Sequence, residues 1–417
     1  MHYPLFTKFT IPNIFGHQID ILVTMLSKNT IYRYYAISTV IVCCLTLLLS
    51  CGESSEHKLS TVDTVQKTTK KQKAKHLDIP TVTEQESQQK ITYKGRSINI
   101  SVCGVDSRLN ENVQHADANH VLRFWVDEGA LEIIDIPRDT PCENAGLDSN
   151  LNNLANLRAN KGRNTYLKRV AEICRIPKID YYVELGFSQA MGVLELLGHK
   201  KEADKTLRVL RSRQGFDAGD YQRCFNQGNF MKQMALKHFD KSTGWFRDPL
   251  LRSGLFLVES NVPLDTLKYL VDKLEENGFP DNKKCYVHIM PNYGYKLPVY
   301  DLSDESIVTS LNSKIDERLK LNSTTETDQE AYCNKFNKLL SEATSDTAKK
   351  PRETIRLLTR PYNQRSWMQV KDKSKRSEYA KQVCLLLITA HNKVKQPKDA
   401  LKILSFYEEH KDLLEHL

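Results

Sequence analysis

Residues 121–140 read VLRFWVDEGALEIIDIPRDT, and this stretch decides what kind of fold the chain builds. Two apolar runs, 121–126 and 131–136, are rich in β-branched and aromatic residues. Between them lies the turn DEG at 127–129. The pattern predicts a β-hairpin. Pro137 closes the second run, because it has no N–H to give to a ladder. Arg138 and Asp139 follow directly, so they are delivered to an edge of the sheet rather than to its middle.

Upstream, CGVDSR at 103–108 ends a strand predicted from 97 to 105. Asp106 then stands at a strand's carboxyl end, where α/β sheets place ligands. Asp117 lies in HADANHVL, just before the hairpin. Two carboxylates on neighbouring loops can converge. Hard oxygen donors with free positions suit Mg²⁺, which fills its shell with water and phosphate oxygens. The same two residues also suit plain turn chemistry.

Downstream, periodicity predicts helices over 151–173, 188–197, 203–213, 221–239, 264–276 and 303–319. Strands are expected over 180–185, 256–258 and 285–290. Alternating strands and helices imply a layered α/β domain with a central sheet over 91–321. The remainder, 322–417, reads as helix only, at 330–340, 351–358, 377–392 and 397–410. Its last two helices resemble one unit of a TPR-like array. A small helical domain of this kind suits a protein partner.

Between the helices at 203–213 and 221–239 the chain runs LRVLRSRQGFDAGDYQRCFNQ, residues 207–227. Arg211, Arg213 and Arg223 fall around a Gly-bearing turn, and no Lys occurs between 206 and 231. A solvated face uses Lys as freely as Arg. The planar guanidinium fork fits carboxylate or phosphate with two hydrogen bonds at once. An anion site is expected here.

The net charge of +9 is spread along the chain, and 27% charged with 40% hydrophobic residues suits a globular protein. The one dense lysine cluster, Lys67, Lys70, Lys71, Lys73 and Lys75, falls in a segment over 52–90 rich in Ser, Thr, Gln and Lys. That segment reads as a tether with an r.m.s. reach of roughly 35 Å. No nucleic-acid-binding pattern is visible. Before the tether, MLSKNTIYRYYAISTVIVCCLTLLLSCGESS begins at Met25, a second candidate start. Lys28 and Arg33 precede an apolar stretch over 36–49 that ends in LLSC. This resembles a bacterial lipobox with Cys51 as the lipid-bearing residue, within a signal region over 1–51. An uncleaved signal anchor is the alternative. Both place the rest of the chain outside the cytoplasm, held at a membrane. Seven cysteines follow Cys51, widely spaced and without a CxxC pair, which is neither a disulfide framework nor a zinc pattern. One or two bridges are compatible with an oxidising compartment.

Taken together, GVDSR at 104–108, D-x-x-x-V-L at 117–122, IPRDT at 136–140, IDYYVEL at 179–185, LRSR at 210–213 and GDYQRCFNQ at 219–227 resemble the LytR–CpsA–Psr proteins of bacterial envelopes. The resemblance spans roughly residues 95–320. It implies a three-layer α/β/α sandwich with a central mixed sheet, with the small all-α region appended. It implies a phosphotransferase that moves a glycopolymer from an undecaprenyl-pyrophosphate carrier to peptidoglycan. Asp106 and Asp117 match the family's Mg²⁺ aspartates, with Mn²⁺ as the alternative ion. Arg108, Arg138, Arg211, Arg213, Arg223 and Gln227 match residues that hold pyrophosphate. Arg108 and Arg138, with the acids Asp139 and Asp220, are the expected catalytic set.

The chain departs from the family in two places. Asn226 stands where the family usually has Arg, so one phosphate contact is expected to be missing. Only thirteen residues, GHKKEADKTLRVL, separate Leu197 from Arg211. The family usually has a longer, strand-bearing insertion there, beside its lipid pocket. Two rival functions remain open at this level: a non-catalytic protein that binds polyprenyl pyrophosphate or peptidoglycan, and a pyrophosphatase. His115 and His120 read as surface histidines, since no HExxH spacing follows. Ser107 lacks a G-x-S-x-G elbow. Trp125, Trp245 and Trp367 read as packing residues.

Overall fold

The computed structural model describes residues 93–106, 114–143, 145, 148, 151–198, 203–213, 215–244, 247–319 and 329–416. The signal region, the tether, Cys51, Ser107, Arg108 and Trp245 lie outside them.

Six strands form one mixed sheet: β1 (Ser97–Val105), β2 (Ala116–Trp125), β3 (Ala130–Ile136), β4 (Tyr181–Leu185), β5 (Glu259–Ser260) and β6 (Cys285–Ile289), in the order β5-β4-β1-β2-β3-β6. β2 and β3 form the expected antiparallel hairpin. β1 runs antiparallel to β2 and parallel to β4, and β3 runs parallel to β6. Hence β1, β3, β4 and β6 all point one way. Their carboxyl ends share an edge with the amino end of β2. That edge carries Asp106, Asp117 and Arg138.

Side chains in a strand alternate between faces, and β3 shows the consequence. Ile134 and Ile136 pack beneath α1 (Leu154–Cys174), with Tyr166 and Val170. Leu131 and Ile133 face the other way, against Phe225, Leu274 and Val287. That second layer is built from α4 (Asp220–His238) and α6 (Leu264–Glu276). The result is the expected α/β/α sandwich. Ile133, Ile134 and Ile136 are fully buried, so truncating any of them to Ala should cost about 2–5 kcal/mol.

The helices α2 (Phe187–Leu196), α3 (Ala203–Arg211), α5 (Arg247–Leu257) and α7 (Glu305–Leu319) complete this part. The strand expected over 256–258 is absent. Phe256 and Leu257 are the last turn of α5, and the strand follows as β5. The apolar run there is the buried end of a helix. Short apolar runs do not distinguish the two by periodicity.

What buries that helix end is the carboxyl-terminal region: α8 (Gln329–Lys349), α9 (Pro351–Asn363), α10 (Lys373–Lys393) and α11 (Pro397–His416). Phe256 and Leu257 join Phe336, Leu358, Trp367, Val383 and Leu387 in one core, with Val193 and Leu196 of α2 packed against it. The helices share a core with the sandwich rather than standing beside it. Among the described residues no helix is long and apolar enough to cross a membrane.

Candidate active site

A cavity of ≈ 1280 Å³ opens at the sheet edge described above. Its mouth is lined by Asp106, Asp117, Arg138, Arg211, Arg213, Arg223 and Gln227. These are seven of the residues singled out in the sequence, drawn from β1, β2, β3, α3 and α4. Much of the remaining lining is apolar, with Leu122, Ile133, Val193, Leu194, Leu207 and Phe230. It exceeds the ~300–1,000 Å³ of ordinary small-molecule pockets.

Local chemistry explains how each polar group gets there. Asp106 leaves β1 and donates its backbone N–H to the His115 carbonyl at 2.9 Å, which sets it beside the approach to β2. Asp117 begins β2, and its carboxylate pairs with Arg138. The Arg138 backbone N–H donates to Asp220 Oδ2 at 3.2 Å. Asp220 in turn pairs with Arg223, and Arg223 Nη2 donates to the Asp117 carbonyl at 2.9 Å. These four residues form a closed ring that ties β2, β3 and α4 together. Burial raises the Asp220 carboxyl above its ordinary value and lowers the Arg223 guanidinium below its own.

Gly219 precedes α4 at φ 57°, a left-handed conformation that suits glycine. It lets the chain double back between the end of α3 and the start of α4, whose Tyr221 and Arg223 N–H groups donate to the Ala218 and Gly219 carbonyls. On the other side of the turn, Arg211 and Arg213 are exposed. Arg211 lies over the Phe187 ring at 4.8 Å. Gln227 reaches back from α4 and donates to the Leu210 carbonyl at 2.7 Å, so it holds the end of α3 as well as lining the mouth.

Asp139 and Asp220 do not line the cavity. Asp139 is exposed beside Arg138, with Nε to Oδ1 at 3.4 Å, and Asp220 sits behind the mouth within the ring. Arg108 lies outside the described residues. Asn226 is not at the mouth either. It is buried, and accepts from Gln222 Nε2 at 2.7 Å. Gln222 also donates to the Pro298 carbonyl at 2.8 Å. In this fold position 226 is part of the buried interface of α4. His120 is likewise no surface residue: it is 3% exposed and bonded to Asp135. Trp125 and Trp367 are packing residues as expected. The seven cysteines beyond Cys51 are all unbonded.

The shortened segment before Arg211 leaves α3 itself as a cavity wall. Leu207, Arg208 and Leu210 face Asn312, Ile315 and Asp316 of α7 across it. Arg208 pairs with Asp316 and so fastens the two walls. Sequence reasoning missed one further residue. Arg360, on α9, donates Nη2 to the Asp106 backbone carbonyl at 3.2 Å. Nothing local in TRPYN, at 359–363, announces this contact.

Residues 57–198 match the model of the LytR_cpsA_psr family. The match includes Asp106, Asp117, Arg138 and Asp139, and ends before the arginine-bearing turn. Among solved structures, B. subtilis TagV is 17% identical, covering 55% of this chain and 99% of its own, at a TM-score of 0.40. The Lin1025 protein from Listeria innocua is 14% identical over 55% and 100%, at 0.36. TagT bound to LI-WTA is 15% identical over 56% and 95%, at 0.36. No curated protein matches. Over residues 57–198, the chain is thus similar to the LytR_cpsA_psr family.

Proposed function

We propose that this protein moves a glycopolymer from a polyprenyl-pyrophosphate carrier to peptidoglycan. One observation carries the reading: a single cavity joins a mouth of five polar cationic and amide side chains to an extensive apolar lining. Such a space suits an amphiphile with an anionic head and a long apolar tail. Arg211, Arg213 and Arg138 would hold the diphosphate through paired N–H donors. The Leu, Ile and Val lining would take the tail. The acceptor hydroxyl attacks the sugar-side phosphorus, the bridging P–O bond breaks, and polyprenyl phosphate leaves. The hydroxyl proton passes to a carboxylate at the mouth.

The donor set fits a hard divalent ion. Asp106 and Asp117 line the same mouth, and the ion pair with Arg138 occupies Oδ1 of Asp117. Mg²⁺ held by these two residues would neutralise charge on the diphosphate and on the departing phosphate. The chain's own arginines place the substrate and stabilise the same charge.

The test uses the full-length chain, because α8–α11 share a core with the sandwich. It is incubated with a short polyprenyl-pyrophosphate oligosaccharide, peptidoglycan and Mg²⁺. Transfer of the oligosaccharide, lost in Asp106→Ala, is the expected result. Release of free sugar phosphate without transfer would instead make it a pyrophosphatase. Tight binding with no turnover would make it a carrier-binding protein.

We also propose that Cys51 carries lipid and holds the domain at an extracytoplasmic membrane surface, where such a carrier presents its head group. The motif LLSC and the tether after it support this reading. Mass spectrometry of the membrane-extracted protein should find a lipid-modified Cys51 at the amino terminus. An unmodified Cys51 behind an intact leader would show a signal anchor.

A further inference from the structure

Directly behind the ring of Asp117, Arg138, Asp220 and Arg223 lies a second polar cluster that the transfer chemistry does not use. His120 of β2, Asp135 of β3 and Cys224 of α4 offer ligand atoms that all lie within 4.8 Å of one another. All three residues are buried, at 3%, 0% and 2% exposure. His120 Nδ1 and Asp135 Oδ1 are 2.7 Å apart. Asp135 Oδ2 has no hydrogen-bond partner and is shut off from solvent. A buried carboxylate oxygen left unsatisfied costs free energy, so the cluster is incomplete as a purely protein network.

Space for the carboxylate is built in. A Cβ at Gly228 would stand 2.1 and 2.4 Å from the two Asp135 oxygens, so only glycine tolerates this carboxylate. We infer that His120, Asp135 and Cys224 bind a transition metal of the zinc class. One imidazole nitrogen, one carboxylate oxygen and one sulfur suit a borderline-soft divalent ion better than Mg²⁺. The charges agree. On binding, the Cys224 thiol gives up its proton to solvent, and thiolate plus carboxylate neutralise a divalent ion. No net charge is then buried. His120 also lines the large cavity, which gives the ion a path of entry and leaves one position for water.

The placement suggests what such an ion does. His120 follows Asp117 by three residues, Asp135 precedes Arg138 by three, and Cys224 adjoins Arg223. Each ligand therefore stands on the element that delivers one member of the ring to the mouth. A metal here clamps β2, β3 and α4 and holds the mouth in register. This role does not depend on the reaction proposed above.

Co²⁺ is the probe. Added to chelator-treated full-length protein, it should give a near-ultraviolet cobalt–thiolate charge-transfer band that stops growing once this one site is filled. Zn²⁺ should displace it. Cys224→Ser should abolish the band, while Cys333→Ser, at the half-buried cysteine of α8, should retain it. Cobalt at Asp106 and Asp117 gives no thiolate band, so the two sites are separable. Saturation of the wild-type protein without such a band would overturn the inference, as would a band that survives Cys224→Ser. The wild-type titration decides the matter even if the variant does not fold.

Discussion

Arg376 lies in the seam between α10 and α2. Its Nη1 and Nη2 donate to the two Glu195 oxygens at 2.8 and 3.1 Å, and its Nε to the Val370 carbonyl at 3.0 Å. Nearby, Arg365 is buried between the rings of Phe406, Tyr362 and Phe256, at 4.1, 5.0 and 5.5 Å. Its Nε donates to the Phe256 carbonyl at 3.0 Å. Burial pushes its guanidinium down to about 10. At the cavity mouth, Arg211 and Arg213 are exposed, and neither makes an ion pair among the described residues. The same side chain thus serves two ends. In the seam its donors are already spent on protein acceptors. At the mouth the fork is held out by a turn and kept available. An arginine's role follows from whether its hydrogen bonds are complete.

Arg376→Ala is the strongest test of that contrast. It leaves Glu195 charged and buried without its partner, and breaking one side of such a pair costs about 3–5 kcal/mol. Chemical denaturation should show the loss directly. Replacing both partners by apolar residues, as in Glu195→Leu with Arg376→Met, should recover most of it. A single variant as stable as wild type would remove the seam from the stability argument.

Arg211→Lys should do the opposite. The side chain is exposed, so stability should stay within about 0.5 kcal/mol. A point charge cannot reproduce the fork. Losing one charge-assisted bond is worth about 1.5–3 kcal/mol, roughly ten- to a hundred-fold in transfer rate. Full activity in the Lys variant would reduce the mouth to net charge alone.

These two classes of arginine were not equally legible in the sequence. The hairpin over β2 and β3 declared itself by two apolar runs rich in β-formers, a short polar turn and Pro137. Once that hairpin is placed, Arg138 and Asp117 fall at one edge by geometry. Arg211 and Arg213 stood out because they replace Lys beside a glycine turn. Arg365 and Arg376 gave no such signal. Glu195 on α2 and Phe256 on α5, which they meet, are far away in sequence, and only the folded core brings them together. The same reason defeated the strand expected at 256–258, whose apolar run answers to α8–α11 rather than to a sheet. His120 looked like a surface histidine because its partner Asp135 is fifteen residues away, across the hairpin.

Asn226→Arg tests how far the family pattern can be transferred onto this chain. Matching residues by spacing alone, an added arginine tightens the grip on pyrophosphate. In the fold, Asn226 is buried against Gln222. A longer charged side chain there overpacks the α4 interface and should cost about 1–3 kcal/mol. Calorimetry with inorganic pyrophosphate should show no gain in affinity. A tighter complex with unchanged stability would mean that α4 can turn this position toward the mouth.

Arg360 lies between the two classes, and its removal should have the smallest effect. It belongs to α9, yet it donates to the Asp106 carbonyl at 3.2 Å, across 254 residues of sequence. It touches the backbone of a mouth residue and not the substrate, so it positions rather than catalyses. Arg360→Met keeps much of the aliphatic stem and removes the donors. The net loss in stability should be about 0.5–1.5 kcal/mol, the usual worth of an intramolecular hydrogen bond. If the contact fixes Asp106, the variant should need more Mg²⁺ for half-maximal transfer while binding of the apolar carrier tail is unchanged. A uniform fall in rate at all Mg²⁺ concentrations would instead show that α9 only stabilises the sandwich. The comparison would then sharpen into a clean division, with Arg360 joining Arg365 and Arg376 on the side of the fold rather than of the mouth.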